Sequence, residues 1–299
     1  MRWAPYAILG IGVTAVSWSA VLIREADAPA LVIASYRLVL AALPVGTLAL
    51  IQQRRAPEPI SSSSLRPLLL SGVFLALHFA FWVTALQHTS VVTAVVLMSM
   101  QPLFVALASP FLLKEAVHRG VWFALLLTLA GTVIMAAGHL NGGLDTLAGD
   151  LYALLAGAFA AGYLLVGRRV RPGTSWIRYI GTVYPVTAAL LLAAMFIAGD
   201  SPTGYSTKTL VMIGLLALGP QLIGHSSINW ALGYLPAIIV AIAILVEPVG
   251  ATILAAIILD EQPTALEFIG SLVVLAGVYL ALRPTSREAP APEYSAADG

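Results

Sequence analysis

The sequence predicts an all-helical integral membrane protein of ten transmembrane helices, and three observations point to it. The 299 residues are 60% hydrophobic and 10% charged, against roughly 45–50% and 25% for a soluble domain. Ten apolar segments of about 20 residues follow one another, each long enough to cross a hydrocarbon core of about 30 Å as helix. The second five repeat the first five at an offset of 146 residues, the distance from Pro102 to Pro248. Uninterrupted apolar runs also exclude a barrel, whose strands would alternate in character.

The segments fall near residues 4–23, 29–51, 67–86, 91–113 and 120–138, then 149–167, 178–199, 209–229, 235–259 and 265–282. The first is expected to be retained rather than removed as a signal peptide, because it has its own partner at Tyr152 to Val166. Besides the prolines, Glu115 aligns with Glu261, Leu129-Ala130-Gly131 with Leu275-Ala276-Gly277, and Tyr6 with Tyr152, in one register without a gap. The expected organisation is a first five-helix repeat over 1–145 and a second over 146–284. Residues 285–299, rich in Ala, Pro and Glu, are expected to be a disordered cytoplasmic tail. An odd number of spans per copy inverts the second copy relative to the first. Inverted repeats let secondary transporters build two oppositely facing states around one midplane site, so transport is the leading functional class.

Charge supplies the orientation. Twelve of the fifteen basic residues lie at the ends and loops that share a side with the N-terminus, among them Arg54, Arg55, Lys114, Arg119, Arg168, Arg169 and Arg171. The positive-inside rule then places both termini in the cytoplasm, and the expected location is a bacterial inner membrane. The run Arg168 to Arg171 is a topology signal rather than a nucleic-acid patch, so the partners expected are a small-molecule solute and the lipid bilayer, with no nucleic acid and no obligate protein partner. The absence of cysteine excludes disulfides and thiolate metal sites.

Several chemistries lack their residues. Lys114 and Lys208 are the two lysines and neither ends a phosphate-binding Gly-rich loop, which excludes ATP-driven transport by this chain alone. The histidines at 78, 88, 118, 139 and 225 include no His-Glu-x-x-His pair, and no acidic cluster within a span is able to hold magnesium. No catalytic residue, metal or cofactor is expected. A membrane-embedded enzyme remains the alternative of a different class.

Of the 29 charged side chains only Arg37 and Glu247 sit well inside a segment, where an ionisable group costs at least about 2.5 kcal/mol. Glu247 is near the middle of the ninth segment and precedes Pro248; Gln101 precedes Pro102 in the fourth. Each proline removes a helical hydrogen bond, so two kinked helices are expected to present freed carbonyls with Gln101 and Glu247 at matching depths. Glu247 then meets an ammonium group or carries a proton; the alternative is a structural, hydrogen-bonded carboxyl. His78 and Trp82 on the third segment, and Gln221, His225 and Asn229 on the eighth, recur every four residues and therefore share helical faces. These stripes, joined by Tyr163 on the sixth, are read as lining a cavity, against the alternative of interhelical glue. The substrate-binding set is thus His78, Trp82, Gln101, Tyr163, His225, Asn229 and Glu247, with Pro102 and Pro248 as helix kinks. Arg37 is eight residues into the second segment, and its expected role is to snorkel outward to Glu25 and Asp27, with an anionic substrate as the lesser reading. Gly10, Gly12, Gly131, Gly157, Gly162, Gly270 and Gly277 are expected to permit close helix packing.

The five-plus-five repeat, Met100-Gln101-Pro102 and Val246-Glu247-Pro248, Lys114-Glu115 and Asp260-Glu261, and the two Leu-Ala-Gly runs resemble the EamA family of the drug/metabolite transporter superfamily. The resemblance covers residues 4–282 and is nearest to the YddG-type amino-acid exporters. It implies a basket of ten helices around a central cavity and export of neutral, aromatic and hydrophobic L-amino acids by alternating access without ATP. Other small metabolites or drugs are the alternative cargo. Two departures restrict that range: Thr14 and Ala160 stand where related drug antiporters carry an acidic residue in the first helix, and Arg37 alone is available to meet a phosphate.

Overall fold

The computed structural model describes residues 3–55, 62–89, 94, 97–137, 147–258 and 264–283. His139, Asp260, Glu261, the repeat junction expected at 145/146 and the tail expected at 285–299 lie outside the described residues. Seven helices are long and apolar enough to cross a membrane: Ala4–Glu25, Ala30–Arg55, Leu65–His88, Leu147–Gly173, Trp176–Ala198, Thr207–Ala231 and Ala237–Ile258. Three shorter apolar helices, Gln101–Leu112, Arg119–Met135 and Phe268–Leu282, join them among the described residues. In chain order these are spans 1 to 10, of which 4, 5 and 10 are the short ones. Leu43, Phe111, Phe123, Ile197 and Ile257 lie exposed on the outside, and only lipid tolerates so much uncovered apolar surface.

The packing has a two-fold pattern. Span 3 lies along span 6 as span 1 lies along span 8, and span 4 touches span 6 as span 1 touches span 9. Spans 2 and 7 pair, as do 4 and 9, and 5 and 10. Exchanging every span with the one five places away maps these contacts onto themselves, as a duplicated chain requires. Glycine sets the closest approaches. A Cβ on Gly131 of span 5 would stand 2.7 Å from the Val274 nitrogen and 2.8 Å from the Gly270 carbonyl of span 10. One on Gly12 of span 1 would meet the Gly224 carbonyl of span 8 at 3.0 Å. Gly10 departs from the expectation, since nothing lies within 4 Å of its Cβ position.

Three spans are interrupted. Span 1 consists of Ala4–Val16 and Ser19–Glu25. Span 9 consists of Ala237–Ile244 and Glu247–Ile258, and in span 4 a turn at Ser99 and Met100 precedes Gln101–Leu112. The breaks of spans 4 and 9 fall directly before Pro102 and Pro248, where kinks were expected. Each proline occupies the second residue of the helix that follows, where its missing N–H costs no helical bond and its fixed φ suits the first turn. Span 8 changes winding instead of breaking, with a π-helical stretch over Ala217–His225. Pro220 lies inside that stretch, and its inability to donate explains why the i→i−4 ladder gives way there.

The basic end of the bundle is cross-linked. Lys114 adopts a left-handed backbone conformation, with φ 58°, just past the end of span 4, and so turns the chain back on itself. Glu115 then meets the Arg168 Nε of span 6 at 2.6 Å, and Arg168 Nη1 donates to the Leu232 carbonyl at 3.1 Å. Arg171 is buried and donates from Nε to the Asn229 carbonyl at 3.0 Å. At the opposite end Lys208 pairs with Glu25 at 2.6 Å.

Candidate functional site

The interruptions of spans 1, 4 and 9 and the π stretch of span 8 converge on one cavity of about 40 Å³. That holds a few waters and is far below the ~300–1,000 Å³ of a ligand pocket, so the bundle is nearly closed around it. The lining carries the repeat. Phe79 and His225, Trp82 and Ile228, Met98 and Ile244, and Gln101 and Glu247 all line it, and each pair is separated by the same 146 residues. The duplicated chain thus places equivalent positions on both sides of a shared space, and where they differ, as at Gln101 and Glu247, it makes the two sides chemically distinct.

Six of the seven residues read from the sequence, His78, Trp82, Gln101, Tyr163, His225 and Glu247, meet at this cavity. His78 is buried, and its Nδ1 donates to the Ala156 carbonyl at 3.0 Å, which leaves Nε2 as the accepting ring nitrogen. The rings of His78, Phe79 and His225 form a triangle, with centroids 4.9 Å apart for His78 and Phe79, 5.2 Å for Phe79 and His225, and 6.4 Å for the two histidines. Trp82 and Tyr163 contribute apolar faces, each 2% exposed. Asn229 is the residue that does not line the space. It is fully buried behind the wall, donating to the Tyr163 hydroxyl at 2.5 Å and to the His225 carbonyl at 2.7 Å.

Arg37 corrects the sequence reading most. It does not reach outward: it is 1% exposed and lines the cavity. Glu25, one of its two expected partners, is taken by Lys208, and Arg37 forms no ion pair with the other, Asp27. The Arg37 Nε donates to Gln221 Oε1 at 3.0 Å and Nη1 to Ser19 Oγ at 3.3 Å, while the guanidinium carbon sits 4.2 Å from the Phe79 ring centroid. Gln221 in turn belongs to a buried network in which the Tyr184 hydroxyl and Ser226 Oγ lie 3.0 Å apart. Three buried polar atoms here have no hydrogen-bond partner: Arg37 Nη2, Gln221 Nε2 and Asn229 Oδ1. Such orphans are rare in folded proteins and need a reason. The signal for Arg37 was its depth, since seven residues from Ala30 is about 10 Å of helix, a long way for one side chain to climb.

A helical membrane bundle with a two-fold contact pattern and a polar cavity at its helix breaks has the architecture of a secondary transporter. The chain belongs to the EamA-like transporter family, which matches it twice, over residues 1–137 and 147–283. That is a transporter family and not an enzyme family, which removes the membrane-enzyme alternative. An uncharacterized transporter of Archaeoglobus fulgidus is 26% identical over 83% of this chain and 86% of its own length. The Pseudopaline exporter CntI of Pseudomonas aeruginosa is 27% identical over 85% and 87%. A Probable amino-acid metabolite efflux pump of Escherichia coli is 23% identical over 92% of both chains. A solved crystal structure shares the fold with a TM-score of 0.76 and 20% identity, over 94% of this chain and 98% of that one.

Proposed function

We propose that this protein is an exporter of neutral, aromatic and hydrophobic L-amino acids, working without ATP by alternating access between two inverted five-helix repeats, 1–145 and 146–284. In this reading all ten helices cross a bacterial inner membrane, with both termini in the cytoplasm. The observation that carries it is the convergence of His78, Trp82, Gln101, Tyr163, His225 and Glu247 on one cavity built from equivalent positions of the two halves. The solute's side chain lies against Trp82 and Tyr163, whose rings offer apolar faces with polar edges. Glu247 meets its ammonium group. The small volume fits a solute-free, nearly closed state, from which either half opens to admit cargo. The amino-acid metabolite efflux pump among the relatives supports the cargo class. The pseudopaline exporter favours a second reading, export of another small metabolite by the same cavity.

Uptake of labelled threonine, methionine and phenylalanine by proteoliposomes, with no ion gradient and no ATP, tests the first reading. Saturable uptake suppressed by unlabelled amino acids is expected. Absence of uptake, both under those conditions and with an imposed proton gradient, overturns it.

A further inference from the structure

We propose that Arg37 is the carboxylate-binding residue of this cavity, and that the site selects zwitterions, with the solute's carboxylate on Arg37 and its ammonium on Glu247. The inference rests on the reading that the cavity is the solute site. It departs from a purely symmetric cavity, because residues 181–185, the counterpart stretch of the second repeat, include no basic residue.

A guanidinium at 1% exposure within a span needs compensation. The compensation present is two hydrogen bonds to neutral groups, Gln221 Oε1 and Ser19 Oγ, the face of Phe79, and the attraction of Glu247 from beyond ion-pair distance. Among the described residues no carboxylate lies within ion-pair distance of Arg37. Nη2 has no partner at all, although the residue lines the cavity. A buried, charged N–H left unmade is expensive, and the planar fork of a guanidinium that lines a cavity matches the geometry of a carboxylate. Nε and Nη1 are already held by fixed partners on spans 8 and 1, so the guanidinium is oriented before any solute arrives.

Glu247 lines the same space and forms no ion pair with Arg37. One basic and one acidic side chain therefore share a cavity and attract each other across it without forming a direct ion pair. A molecule carrying both signs on adjacent atoms satisfies both at once; an amine without a carboxylate leaves Arg37 uncompensated. Excluding the wrong solute in this way needs no additional contact, since an unpaired buried charge is itself the discrimination.

The test compares L-methionine with L-methioninamide, which keeps the side chain and the amino group but loses the carboxylate charge, as competitors of labelled methionine uptake in proteoliposomes. Wild type is expected to prefer the acid by about tenfold or more, the usual worth of a hydrogen bond to a charged group. In Arg37→Gln that preference is expected to collapse toward equality. Should Arg37→Gln fail to yield monodisperse protein, Gln221→Glu addresses the same claim, since a carboxylate against the Arg37 Nε neutralises the guanidinium in place and competes with the solute. A folded variant of either kind that keeps the acid preference overturns the assignment of Arg37 and leaves the amino-acid carrier intact. Saturable wild-type uptake with no preference for acid over amide overturns the zwitterion claim alone. No uptake by wild type removes both readings.

Discussion

Asn229 donates from Nδ2 to the Tyr163 hydroxyl at 2.5 Å, tying span 8 to span 6 behind the cavity wall. The same amide nitrogen reaches the His225 backbone carbonyl at 2.7 Å, which fixes the amide, so the hydroxyl of a ring that faces the cavity is held by a residue that does not line it. Tyr163→Phe removes one bond and leaves the amide its second acceptor. A loss of about 0.6–1.5 kcal/mol is expected. Asn229→Ala takes the amide donor from the Tyr163 hydroxyl, which keeps its interaction with Tyr179, and opens a void, so it is expected to cost more. Thermal unfolding of the detergent-solubilised variants gives the ranking; the reverse order would mean that the hydroxyl is not the acceptor described.

Glu247→Gln is close to isosteric and keeps the residue at the head of its helix, beside Pro248. Uptake is expected to fall about tenfold or more, since the variant loses a charge-assisted contact to the solute's ammonium, while elution profile and helical content stay those of wild type. Full transport by a normally folded variant would reject the ammonium role and leave Glu247 as a structural group.

The ten elements were legible because membrane thickness dictates segment length and the repeat confirms each segment through its partner. Positions within the elements were less so. Pro102 and Pro248 marked where spans 4 and 9 are interrupted, but not the form of the interruption, in which one helix ends at Ile244 in span 9 and a turn forms at Ser99–Met100 in span 4 before a new helix starts. Asn229 was placed on the cavity face by its spacing of four from His225; one turn further along the α-helical Ser226–Ala231, its side chain is taken by the Tyr163 hydroxyl and does not line the space. Arg37 went astray for a different reason. Its acceptor, Gln221, lies 184 residues away, and nothing local to span 2 announces that a neutral amide from span 8 will hold a guanidinium inside the bundle.

The glycines supply a paired prediction. Gly131→Ala places a methyl 2.7 Å from the Val274 nitrogen and 2.8 Å from the Gly270 carbonyl, both backbone atoms that move only with their helix. Spans 5 and 10 must separate, and a cost of about 1–3 kcal/mol is expected. Gly10→Ala meets nothing within 4 Å and removes a helix-weakening residue, so it is expected to be neutral or stabilising by up to about 1 kcal/mol. Melting temperatures of the two variants against wild type decide it; equal effects would mean that close approach is not what Gly131 provides.

Glu115 and Arg168 give the last prediction, about which end of the cavity opens. Their 2.6 Å pair, with side chains 24% and 20% exposed, joins the turn after span 4 to span 6, and the Arg168 bond to the Leu232 carbonyl extends the link to the segment between spans 8 and 9. All of these elements meet at the basic end, so opening toward that side requires the link to part. Ion pairs with solvent access contribute about 0.2–1 kcal/mol, and a bias of about 1 kcal/mol changes a two-state population about fivefold. Glu115→Gln is therefore expected to raise the fraction open at the basic end several-fold. The chain contains no cysteine, so Ala160→Cys, at a position that lines the cavity, is a unique thiol reporter. A membrane-impermeant maleimide applied to the basic face is expected to label that thiol several-fold faster when Glu115 is replaced by Gln. Unchanged labelling would show that closure at this end is held by the packing of the helices and not by the ion pair.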